Sequence, residues 1–85
     1  MTPVGSVGVI RSARDQDEVG DFIEVVDDRT GPTGGFYVLT WRGQHGFDAW
    51  VEGSADVDAY FTEAGYEVDW LSDEAAEGVR LPRQH

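Results

Sequence analysis

Phe36–Trp41, which reads FYVLTW, is aromatic, aliphatic or β-branched at every position and carries no charge. Successive side chains of a strand point to opposite faces, so this strand is apolar on both of its faces and belongs near the centre of a sheet. Its surroundings supply neighbours. Phe22, Ile23, Val25 and Val26 form a short apolar run of strand length, joined to FYVLTW by Asp27–Gly35 (DDRTGPTGG). Asp, Thr, Pro and three glycines between two apolar runs read as a hairpin loop with a mobile tip. On the other side, Arg42–Gly46 reads as a second, Gly-flanked hairpin loop leading into Phe47–Glu52. There Phe47, Ala49 and Val51 alternate with Asp48, Trp50 and Glu52, giving one apolar face and one mixed face. A first strand, interrupted by glycine, is expected around Val7, Val9 and Ile10.

Gly53 and Ser54 end the fourth strand and cap a helix, with Asp56 and Asp58 in the first turn where the helix dipole favours anions. Val57, Tyr60, Phe61 and Ala64 recur at helical spacing, and Gly65 stands where a left-handed C-cap is needed. Tyr66, Val68 and Trp70 then alternate with Glu67 and Asp69 as a last half-buried strand. The expected fold is α+β, in the order β-β-β-β-α-β: a small, mixed, mostly antiparallel sheet of four or five strands with one helix on one face. A strand-helix-strand connection ordinarily leads to a parallel neighbour, which is where the mixed character is expected. One domain spans 1–85, with 1–6 and 73–85 expected to fray.

Seventeen carboxylates face six arginines and no lysine, a net charge of -11. Such a field repels phosphates, so direct nucleic-acid binding is not expected; with no apolar run of membrane-spanning length and no signal-like start, neither is membrane binding, and a cytoplasmic protein is expected. The absence of cysteine removes disulfides and thiolate zinc sites. Asp15-Gln-Asp17-Glu-Val19-Gly20 imitates the start of a calcium loop, but Val19 stands at its fifth position and Val26 where a bidentate glutamate is required. Thr30–Gly35 is glycine-rich yet lacks the Gly-Lys-Ser/Thr ending of a phosphate cradle. His45, three residues before Asp48, and Ser54 are the conceivable catalytic groups, but no oxyanion donor accompanies them and Ser54 is better used as a cap. No metal, no cofactor and no enzymatic activity are expected.

The acids are unevenly spread. Asp48 to Glu77 holds ten carboxylates and no Arg or Lys, whereas residues 29 to 47 hold two arginines and no acid. If Val51, Val68 and Trp70 pack under the helix, alternation sends Asp48, Trp50, Glu52, Glu67 and Asp69 to the other side of the sheet. Alternate residues of FYVLTW join them, giving apolar groups bordered by acids. Trp50 is the expected anchor of a protein interface there, with Asp56, Asp58 and Glu63 on the helix flank steering a basic partner from a distance.

Phe47-Asp-Ala-Trp50-Val-Glu, followed by Val57, Tyr60-Phe61 and Tyr66-Glu-Val-Asp-Trp70-Leu, resembles the small acidic immunity proteins of bacterial polymorphic toxin systems, over roughly residues 36 to 71. The resemblance implies stoichiometric inhibition of a cognate toxin, for instance a nuclease, by occlusion of a basic cleft. Two alternatives stand beside it: a DNA-mimicking regulator of a nucleic-acid-binding protein, and a homodimeric structural domain.

Overall fold

The computed structural model describes residues 2–43 and 45–79. β1 (Val7–Ser12), a single 3-10 turn (Gln16–Glu18), β2 (Phe22–Asp27), β3 (Phe36–Arg42) and β4 (His45–Val51) precede α1 (Ser54–Ala64), β5 (Glu67–Trp70) and α2 (Asp73–Glu77). The strands make one five-stranded sheet in the order β4-β3-β2-β1-β5, with every neighbouring pair antiparallel. The α+β class and the element order are those expected from sequence.

β5 departs from expectation because it has no parallel neighbour. The connection through α1 does not stop beside β4; it crosses the whole sheet and delivers β5 to the free edge of β1, antiparallel to it. Gly8 makes room for this. A Cβ there would lie 2.3 Å from Val68 Cγ1 and 2.9 Å from Trp70 Cε3, so the glycine in β1 is the place where β5 side chains close over the backbone.

β3 is covered on both faces. Phe36 and Val38 join Ile10, Ala13, Ile23 and Val25 beneath Val57 and Phe61 of α1. Trp70 stacks on Phe61 at 6.2 Å between ring centroids, and Tyr66 meets Phe61 edge-on at 5.5 Å. α1 opens with the Asp56 carboxylate accepting the Gly53 N–H at 3.1 Å, so the N-cap is Gly53 and not Ser54. It closes at Gly65, whose φ of 70° lets its own N–H and that of Tyr66 return to the carbonyls of Thr62 and Phe61.

On the opposite face Leu39 and Trp41 pack with Val7 and Ala76, and Phe22, Val26, Tyr37, Leu71 and Val79 close around them. Of residues 73–77, expected to fray, Ala76 is buried in this second core while Asp73, Glu74, Ala75 and Glu77 stay exposed. A five-residue helix is far too short to hold itself together in water. It is fixed by Ser72, whose hydroxyl accepts the Ala75 N–H at 3.2 Å, by the burial of Ala76, and by the Trp41 indole N–H donating to Val79 O at 3.2 Å. The N-terminal strand leader, also expected to fray, is tied by the Thr2 N–H to Asp58 at 2.9 Å and by the Gly5 N–H to Val25 O at 2.7 Å. Residues 80–85 lie outside the described residues.

The 3-10 turn is sewn to the sheet from two sides. Arg42 reaches Asp21 and the carbonyl of Asp17, and the Tyr66 hydroxyl donates to Glu18. Burial first, and then the bond to Glu18, hold the Tyr66 phenol well above the usual tyrosine range. The folded state thus favours the protonated phenol; its contribution is complete below the ordinary value of about 10 and declines as pH rises beyond it.

Two expectations follow. Ala76→Asp, which puts a charge where the helix meets Val7 and Trp41, should cost about 3 kcal/mol in urea denaturation. Tyr66→Phe should cost about 1 to 2 kcal/mol at neutral pH by stranding Glu18, and the gap between variant and parent should narrow as pH is raised above about 10.

Candidate interaction surface

Asp48 and Trp50 lie opposite Leu39 and Tyr37 in the β3–β4 pairing, and so share the sheet face that α1 leaves free. α2 lies against β1, and β4 contributes nothing to the second core, so among the described residues this end of the face is uncovered. Trp50 is 46% exposed. Its indole lies against the backbone of Gly35, where an added Cβ would come within 2.5 Å of Nε1. The ring is thereby placed over Gly35, in the cross-strand position next to Tyr37. Next to it, Val26, Tyr37, Leu39 and Asp48 enclose a hollow of about 170 Å³. Glu52, exposed, follows immediately after β4.

The β5 acids expected beside Trp50 are at the other edge of the sheet, and the three acids expected on the helix flank are on α1. Asp69 stands opposite Val9, on the same face as Asp48, but β5 is the other edge of the sheet. Four strand spacings, about 19 Å, separate the two edges. Arg11 also holds both β5 acids, Asp69 at 3.0 Å and Glu67 at 3.6 Å. These pairs are exposed and add little stability, yet they cancel charge locally. Asp56, Asp58 and Glu63 are on α1 and hence on the far side of the sheet. Asp56 serves the helix N-terminus, and the Thr2 amide holds the Asp58 carboxyl below its ordinary range. The acids expected around Trp50 are thus divided between the two edges of the sheet, because α1 carries β5 across it.

Alternation alone missed Phe47. It shares the α1 face with Ala49 and Val51, as expected, but is 81% exposed because the helix packs over the other end of β4. Nothing in the spacing of β4 distinguishes a covered apolar position from an uncovered one. The edge strand therefore shows an aromatic ring on each face, Phe47 on one and Trp50 on the other.

The chemical candidates do not converge. His45 and Asp48 point to opposite faces of β4, so the carboxylate cannot orient the imidazole, and Ser54 begins α1 as an ordinary first-turn residue. Asp15 accepts the Asp17 N–H at 3.0 Å, while Glu18 and Asp21 are engaged by Tyr66 and Arg42. Among the described residues no three His, Asp or Glu side chains gather as metal ligands would. The glycine-rich hairpin loop is organised by aspartates: Asp27 takes the Arg29 backbone and guanidinium, and Asp28 takes the Thr33 N–H and hydroxyl. An open cleft of about 430 Å³ lies between α1 and β5, lined by Phe61, Tyr66, Val68 and Trp70, but its polar groups are engaged: the Thr2 N–H donates to the Asp58 carboxylate, the Thr62 hydroxyl to Asp58 O and the Tyr66 hydroxyl to Glu18. No helix of the described residues is long and apolar enough to cross a membrane.

The chain matches no protein-family model, and neither a curated protein nor a solved structure matches it.

Among the three tryptophans, Trp41 is only 4% exposed. Acrylamide quenching should therefore lose its most accessible component in Trp50→Phe, with stability changed by less than about 1 kcal/mol. Trp41→Ala should instead cost about 3 to 5 kcal/mol.

Proposed function

We propose that this chain is an acidic, non-catalytic protein-binding module of the immunity or antitoxin type, which lays its Trp50 surface over a basic cleft of a cognate toxin. The observation that carries this reading is the half-exposed Trp50, set against Gly35 beside Tyr37 with Asp48 at the margin, on a part of the sheet that no other described element covers. A rigid aromatic ring loses little entropy on burial, and such residues dominate interface energetics. The net charge of -11 adds attraction over distance, raising association rates with a basic partner by about 10 to 1,000 fold at low salt. A nuclease cleft, built to bind phosphates, has the complementary field.

The DNA-mimic alternative draws less support. Imitation of a phosphate row needs free carboxylates in line, whereas Glu67 and Asp69 hold Arg11 and the helix acids face the other way. Competition separates the two readings: a mimic is displaced by duplex DNA from a DNA-binding protein, while an immunity-type inhibitor abolishes a toxin's activity at one-to-one stoichiometry.

Affinity capture from the native host, followed by calorimetry with the purified partner, tests the proposal. The expected partner is a basic protein whose activity is blocked. Trp50→Ala should weaken binding by about 30-fold or more, the scale of an interface hot spot. Asp48→Asn should chiefly lower the association rate and its salt dependence. Capture of no basic protein, or binding indifferent to Trp50, would count decisively against the reading.

A further inference from the structure

The two edges of the sheet are built differently. β5 is four residues long, its register on β1 shifts between Ile10 and Ser12, and it carries two charged side chains, all of which blunt an edge against further pairing. β4 is seven residues long and pairs with β3 without a shift, from Arg42–His45 to Phe36–Val51. It contains neither proline nor lysine. Arg42–His45 closes the hairpin and so exchanges both backbone bonds; the alternation of an antiparallel ladder repeats this at Phe47, Ala49 and Val51. Gly46, Asp48 and Trp50 consequently turn their N–H and C=O groups outward, away from β3. Phe47 and Trp50 flank this open backbone on the two faces.

Resting on the function proposed above, we infer that β4 is itself the docking strand: an extended segment of the basic partner adds to it as a further strand. Main-chain bonds to Gly46, Asp48 and Trp50 hold the segment, a Lys or Arg stands opposite Asp48, and β-branched residues cover Phe47 and Ala49. Charge selects this occupant over a second copy of the chain. Two β4 strands paired about a two-fold axis bring Asp48 opposite its own copy, or diagonal to it at roughly 8 Å, between molecules that each carry a charge of -11. A cationic strand meets the same edge with attraction.

The full chain, isotope-labelled, is titrated with a blocked peptide of alternating lysine and valine about as long as β4. Its glutamate-for-lysine counterpart and a version N-methylated along one edge serve as comparisons. The expected result is slowed hydrogen exchange at the amides of Gly46, Asp48 and Trp50 with the lysine peptide, and none with the glutamate peptide. N-methylation of the pairing edge should weaken binding about tenfold or more, from the loss of two or three backbone bonds. Shifts of the Trp50 indole without protection of those amides, or indifference to N-methylation, overturn strand addition while leaving the Trp50 surface as the binding site. Protection that rises with protein concentration in the absence of peptide overturns it in favour of self-pairing. If the lysine peptide leaves both the β4 amides and the indole unmoved at millimolar concentration, strand addition fails; if the captured partner also ignores Trp50→Ala, the functional reading fails with it.

Discussion

β3 is apolar on both faces, and the rest of the fold is the answer to that condition. Phe36 and Val38 require one cover, Leu39 and Trp41 another. A single three-turn helix supplies the first. The second comes from a helix of five residues that has no stability of its own and exists because Ala76 and Val79 find Val7 and Trp41 waiting. Tertiary burial makes this secondary structure, as is general for short helices, and the dependence is mutual: without α2 the Trp41 ring of β3 would face water.

Covering both faces leaves the lateral direction, along the hydrogen bonds, as the place where the sheet is still unfinished. α1 must travel from the end of β4 to the start of β5, and by taking β5 to the β1 side it closes one edge with a short, bulged, charged strand. The same journey leaves β4 with β3 as its one strand neighbour among the described residues. Because α1 crosses at one end of β4 only, Phe47 is left bare on the helix face, while α2, lying against β1, leaves Trp50 half bare on the other. Both exposed aromatics are consequences of where two helices stop.

Much of this was legible in the sequence because it rests on local chemistry. The strand periodicity of Phe36–Trp41, the helical spacing of Val57, Tyr60, Phe61 and Ala64, and the glycine at 65 each express a physical preference confined to a few residues. The face assignments of Trp50, Val68 and Trp70 follow from alternation and hold. What was not legible depends on distant partners. Nothing within Ser72–Val79 announces that Trp41 will fix it, and nothing in Glu67 or Asp69 shows that Arg11, more than fifty residues earlier, will bridge both. Alternation assigns a face but not a distance across the sheet, so it groups acids of one face that the strand order puts at opposite edges.

The distribution of charge acquires a different meaning once that order is known. Many of the acids have local structural work: Asp56 at a helix N-terminus, Asp27 and Asp28 in the hairpin loop, Asp58 on the N-terminal leader, Glu18 and Asp21 around the 3-10 turn. Such groups still contribute to the long-range field, which depends on net charge, but they are poorly placed to be rearranged by a partner. Asp48 differs. It stands in the middle of the edge strand, on the face that no other described element covers, with an outward-facing backbone beneath it and an aromatic ring two residues away on its own face. A carboxylate there discourages indiscriminate pairing with apolar edges and with copies of the same chain, and it leaves a cationic strand as the one kind of segment for which electrostatics and backbone hydrogen bonding act in the same direction.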